Sequence, residues 1–247
     1  MSNRFLRLAL TTALAAALTF GAAQAQAPDT TPKPPKRLQI LTPAQINAAL
    51  LIPAPPAEDG AIHAAELADL HRVIVAASPE RMAQAKWDDD HEDPSAYYAT
   101  IGGGFDLKAL PATAALFAVV MNDQSFAASA AKKMFPRKRP WASDAGIPTC
   151  DPDDKPLTSY PSGHATMGFS VGLILATLIP EKAQAIQARA MDYAFSREIC
   201  GSHYASDTEA SHVLATAVAL ELLDSPALQP KIAAAKAELR AARFTTQ

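Results

Sequence analysis

Between Lys132 and Asp207 the chain carries three short clusters: Lys132 with Arg139-Pro140, then Pro161-Ser162-Gly163-His164, then Ser196-Arg197 followed by His203 and Asp207. Their chemistry fits a phosphate ester. Phosphoryl transfer needs charge neutralisation on the nonbridging oxygens, an in-line nucleophile and a proton for the leaving oxygen. Arg139 and Arg197 can each grip two phosphate oxygens with a planar fork, and Lys132 adds a compact charge. Ser162 and Gly163 fall where a turn enters a helix, so backbone amides and the positive end of the helix dipole can face the same oxygens.

The two histidines then divide the labour. His203 and Asp207 are four apart, on one face of a helix, so the carboxylate can accept from one ring nitrogen and leave the other as a neutral nucleophile. His203 is expected to form a phosphohistidine intermediate. His164 is expected to protonate the leaving alcohol and then to activate water. No metal or other cofactor is required by this scheme.

The order and spacing of these blocks resemble a known family. Lys132-x6-Arg139-Pro140, Pro161-Ser162-Gly163-His164 and Ser196-Arg197-x5-His203-x3-Asp207 match the acid phosphatase signature of the type 2 phosphatidic acid phosphatase superfamily, which includes the vanadium-dependent haloperoxidases. Ser159-Tyr160 and Ile199-Cys200-Gly201 are similar to the class A bacterial nonspecific acid phosphatases, and so is the looser pattern from Leu50-Leu51-Ile52-Pro53 onward. The resemblance implies an all-α core, a periplasmic location, broad phosphomonoester hydrolysis and no metal. It assigns Lys132, Arg139, Ser162, Gly163 and Arg197 to phosphate binding, His164 to proton donation, and His203 with Asp207 to the nucleophilic pair. It also raises a homodimer as an expectation. Ala165 stands where threonine is usual, and His212 where arginine often follows; both bear on substrate preference, with His212 read as a plain helix residue. A haloperoxidase-like enzyme, a lipid or diphosphate phosphatase and a non-catalytic phosphate-binding protein are the alternatives. The last would have no use for His164 or the His203–Asp207 pair.

The elements that must position these residues read as helices. Thr42-Pro43-Ala44-Gln45 carries the signals of an N-cap, a first-turn proline and a capping-box glutamine before Ile46–Leu51. A helix is expected after Asp59, with His63 and His71 as surface or boundary residues, and another after Ser78-Pro79. The acidic run Asp88–Asp93 lacks the alternation of a calcium loop and reads as a solvated loop or helix cap. Gly102-Gly103-Gly104 has no following basic residue, so it reads as a turn and not a phosphate loop. Asn122-Asp123 is expected to break one helix over 106–120 from another over 124–134, with Lys132 in the last turn of the second. Helices are further expected over 165–179, 181–195, 208–223 and 227–244. No sustained period-two pattern appears, so the expected fold is a single all-α domain of eight to ten helices.

Arg4 and Arg7, an alanine-rich apolar run and Ala23-Gln24-Ala25 give residues 1–25 the pattern of a secretory signal peptide. Residues 26–41 are expected to form a flexible tether, and 42–247 the catalytic domain. The formal net charge is −3, and losing the two leader arginines makes it more acidic, which disfavours nucleic acid as a partner. No later apolar stretch is long enough for a membrane span. Small phosphomonoesters are the expected partners. Cys150 and Cys200 are the two cysteines, and in an exported protein a disulfide between them is expected.

Overall fold

The computed structural model describes residues 37–152 and 155–247, so the expected leader and most of the tether lie outside the described residues. Ten α-helices follow in chain order: α1 (Ala48–Leu51), α2 (Ala61–Ala76), α3 (Pro79–Asp90), α4 (Tyr98–Ile101), α5 (Pro111–Met134), α6 (Pro140–Ser143), α7 (Gly163–Leu178), α8 (Ala183–Ile199), α9 (Ala205–Asp224) and α10 (Gln229–Ala241). The fold is all-α as expected, with one isolated parallel bridge, Arg137 to Thr158, among the described residues.

The core is built around α7, which is apolar on every side and packs against α5, α8 and α9. Two glycines let neighbours approach its backbone. A Cβ at Gly168 would meet the Tyr193 ring at 2.8 Å, and one at Gly172 would meet the Tyr97 hydroxyl at 2.9 Å. Tyr97 uses the space to donate to the Gly168 carbonyl at 2.5 Å. Burying α7 matters because its first turn carries Gly163 and His164.

The helix of α5 runs unbroken through Asn122-Asp123, where a break was expected. The polar pair is instead an anchor. The Asp123 carboxylate is buried and accepts the backbone amides of Gln39, Ile40 and Leu41 at 2.8–3.0 Å, while Asn122 donates to the Arg37 carbonyl at 2.7 Å. Residues 39–41, assigned to the tether, are thus held against the core, and Leu41 is buried. A local preference of Asp and Asn for turns gives way to satisfying amides that would otherwise be buried unpaired.

Other boundaries shift. The Gln45 side chain accepts from the Thr42 amide and hydroxyl, which is one half of a capping box, but Gln45 N donates to the Thr42 carbonyl and the segment forms only turns until Asn47 caps α1. α8 extends through Ile199, four residues beyond the expected end, which puts Ser196 and Arg197 on a helix. Gly102, Gly103 and Gly104 all take positive φ, as a turn between helices demands. Among the described residues no helix is long and apolar enough to cross a membrane.

Candidate active site

Two helices, α5 and α7, and four connecting segments converge on an open cleft of about 540 Å³ that holds Lys132, Arg139, Gly163, His164 and His203, with Glu92 on its wall. Lys132 comes from the last turn of α5 and donates to the Thr158 carbonyl. Beyond α5 the chain runs extended alongside residues 156–159: Arg137 N donates to Leu157 O, Arg139 N to Pro156 O, and Ser159 N to Arg137 O. In an extended chain alternate side chains share a side. Arg137 and Arg139 therefore both turn inward and are buried, while Lys138 faces out.

The second block starts α7. The Ser162 hydroxyl accepts the Ala165 amide at 3.2 Å, and its side chain is fully buried. Its oxygen is committed to capping the helix, so of the serine-glycine pair only Gly163 is on the cleft wall. His164 follows, its Nε2 3.0 Å from the Asp89 carbonyl and its Nδ1 3.9 Å from a Glu92 oxygen.

The third block spans the end of α8 and the start of α9. Arg197 is buried beneath the cleft and pairs with Asp89 at 2.5 Å; its Nε finds no hydrogen-bond partner among the described residues. Between the two helices the chain turns at Gly201, where φ is +60° and a Cβ would fall 2.0 Å from the Pro148 carbonyl oxygen, so only glycine fits. Cys200 beside it is joined to Cys150, as expected, and Cys150 N also donates to Cys200 O. His203 follows directly. Its Nε2 is 3.1 Å from Arg139 Nη1, and its Nδ1 is 3.5 Å from Asp207 Oδ2, long for a hydrogen bond.

Asp207 is fully buried and well supplied with donors: Arg137 Nη1 at 2.7 Å, Ser159 Oγ at 2.5 Å and Tyr204 N at 2.9 Å. Burial pushes its carboxyl up, and the Arg137 guanidinium, the Ser159 hydroxyl and the Tyr204 amide push it back toward the ionised form. Both histidines are held well below the usual imidazole range. Burial is the main cause for each, followed by Arg139 and Lys132 at His203 and by Arg197 at His164.

The acidic run is solvated in part, as expected: Asp90, Glu92 and Asp93 are exposed and Asp93 caps the short helix Pro94–Tyr97, but Asp88 and Asp89 depart from that reading. Asp88 is fully buried, ion-paired with Arg189 and accepting from Ser196 Oγ at 2.5 Å, and Asp89 holds both Arg197 and His164. This end of α3 clamps α8, and Glu92 just beyond it is on the cleft wall. A run of like charges with no partner nearby in sequence was the available signal, since burial of such charges demands cations from elsewhere. Arg137 and Glu66 were missed as well. Of the other histidines, His63 is buried against the Tyr204 ring, a correction to a surface reading, and His71 pairs with Asp144 at 2.9 Å on the surface. His212 lies on α9 away from the cleft lining, stacked on Phe169.

Residues 111–228 match the PAP2 superfamily. The acid phosphatase of Zymomonas mobilis subsp. mobilis is 34% identical over 151 residues, which is 60% of this chain and only 57% of that protein's length. The non-specific acid phosphatase of Providencia stuartii is 30% identical over 201 residues, 78% of this chain and 81% of its own. That of Salmonella typhimurium is 28% identical over 202 residues, 78% and 80%.

Proposed function

The chain belongs to the PAP2 superfamily, among its non-specific acid phosphatases, and on that premise we propose that it is an exported acid phosphatase of broad specificity. It hydrolyses phosphomonoesters through a phosphohistidine and without a metal. The observation that carries this reading is the contact between Arg139 and His203. A guanidinium has donors and no acceptor, so Nε2 must offer its lone pair and Nδ1 must hold the ring proton, on the side of Asp207. That is the tautomer of a nucleophile.

A phosphate dianion entering the cleft draws on Lys132, Arg139, Arg197 and the first-turn amides of α7. Taking up the Arg139 donors also uncovers the Nε2 lone pair. Nε2 then attacks phosphorus, a P–N bond forms, the ester P–O bond breaks, and His164 gives its proton to the departing alcohol. In the second step His164 takes a proton from water, the water oxygen attacks phosphorus, and the P–N bond breaks to release inorganic phosphate. Asp207 supports the charge that grows on the His203 ring. The fixed cations carry the phosphate charge, which is the support for metal independence.

The test is release of inorganic phosphate from p-nitrophenyl phosphate in excess chelator, with acid quench during turnover. Turnover with acid-labile phosphate trapped on His203 is expected. Activity that needs an added divalent ion, or turnover with no phosphoenzyme on any histidine, would contradict it.

A further inference from the structure

The mechanism above makes no use of Arg137, yet it is one of the largest fully buried side chains in the molecule. Its Nη1 donates to Asp207 Oδ1 and to Ser206 Oγ, both at 2.7 Å, and its Nη2 donates to Glu66 Oε2 at 2.8 Å. The guanidinium lies over the Tyr204 ring, 4.0 Å from its centroid. Glu66 is fixed in turn, because its other oxygen accepts the Ser206 amide at 2.7 Å. The arrangement ties α2, the extended chain after α5 and the first turn of α9 into one clamp.

We propose that Arg137 is a positioning residue for the nucleophile: by gripping Asp207 Oδ1 it turns Oδ2 toward His203 Nδ1 and so fixes the ring with Nε2 in the cleft. This rests on the phosphohistidine reading above. A carboxylate offers about four lone-pair directions. Arg137 holds Oδ1 while Ser159 and the Tyr204 amide hold Oδ2, so three donors fix the carboxylate plane with Oδ2 facing His203 Nδ1 at 3.5 Å. Without the guanidinium the buried carboxyl would rotate or take up a proton, and either change removes the acceptor that faces the His203 Nδ1 proton. Lysine keeps the charge but has no planar fork, so it cannot hold Glu66 Oε2 and Asp207 Oδ1 in one geometry. A buried ion pair is a poor source of net stability because desolvation offsets its attraction, so the consequence expected of this one lies in orientation.

The experiment is a double-mutant cycle in the full chain between Arg137→Lys and Asp207→Asn, with kcat and KM read separately on p-nitrophenyl phosphate. Arg137→Lys should lower kcat by about ten- to hundred-fold, the usual penalty for a reacting group misplaced by about 1 Å, with KM changed by less than about three-fold. In the Asp207→Asn background the same change should cost less than about three-fold, because the residue through which Arg137 acts is already lost. Losses that multiply, or a folded Arg137→Lys variant with wild-type kcat, overturn the proposal. If Arg137→Lys does not fold, Glu66→Gln replaces it: its smaller loss of kcat should likewise vanish with Asp207→Asn, and a loss that persists overturns the idea. Nitrogen-15 NMR of the His203 ring separates this claim from the parent reading, since it needs no turnover. An Nδ1–H resonance that shifts in the variant as its acceptor moves away supports the proposal, and an unchanged Nδ1–H resonance overturns it even if the wild type proves inactive on phosphomonoesters.

Discussion

The Asp89 carbonyl oxygen lies 3.0 Å from His164 Nε2. A carbonyl only accepts, so Nε2 keeps a proton in both the neutral and the cationic ring, and the proton that comes and goes is the one on Nδ1. The His164 ring is therefore held with its Nδ1 side next to Glu92 by a residue on a different helix and 75 positions away in sequence, and the proposed acid would act from that side.

This sets the pH dependence. Burial, then Arg197, Arg139 and Lys132, hold His164 well below 6.5 in the empty site, and His203 is likewise depressed. A bound dianion offsets the cations and favours the His164 imidazolium. With the substrate's own second ionisation near about 6 corrected for, kcat/KM should peak below pH 6.5, and the alkaline limb of kcat should lie at higher pH than that of kcat/KM. A rate still rising at pH 9 would contradict the roles of both rings.

His203→Ala should lower kcat by at least about 10³-fold on every phosphomonoester, because the nucleophilic step proposed for it would have no substitute in the cleft. His164→Ala should behave differently. Its loss should be large for alkyl phosphates and small for p-nitrophenyl phosphate, whose leaving oxygen needs little protonation. Equal losses on both substrates would remove the general-acid assignment.

Asp89→Ala strips the buried Arg197 of its charge partner. Breaking a buried pair from one side costs about 3 kcal/mol or more, readable as a shift in the urea midpoint. KM should rise as Arg197 loses its fixed position. A variant with unchanged stability and KM would show that the pair supports neither.

Burial raises the Glu198 carboxyl to about 7, reinforced by Glu66 and Asp207 and opposed by its bond from Thr208. A carboxyl raised above its unfolded value of 4.5 binds a proton more tightly in the native state, so its effect costs stability as pH rises from 4.5 through about 7. Glu198→Gln should match the wild type at pH 4 and exceed it at pH 8 by about 1–3 kcal/mol, allowing for partial exposure. Chemical unfolding at the two pH values measures the difference.

Cys150 and Cys200 close a loop with a sequence separation of 50. Replacing both by serine should cost on the order of 4 kcal/mol by the chain-entropy view. Because Cys200 sits three residues before His203, kcat should fall along with the melting temperature. A stability loss with kcat intact at low temperature would mean the bridge acts on the unfolded chain alone.

Much of this molecule was legible in its sequence, for a local reason. Helices announce themselves by periodicity and caps, and Lys132, Arg139, Gly163, His164, Arg197, His203 and Asp207 stand at short spacings within three blocks. What the sequence could not carry is which distant charge meets which. Asp123 looked like a helix break until the amides of Gln39, Ile40 and Leu41 were found on it. Asp88 and Asp89 looked solvated until α8 brought Arg189 and Arg197 to them. Glu66, 71 residues from Arg137, carries no local mark of its role. Each of these charges is tolerable in the interior only when paired, and the pairing exists only once the helices have packed.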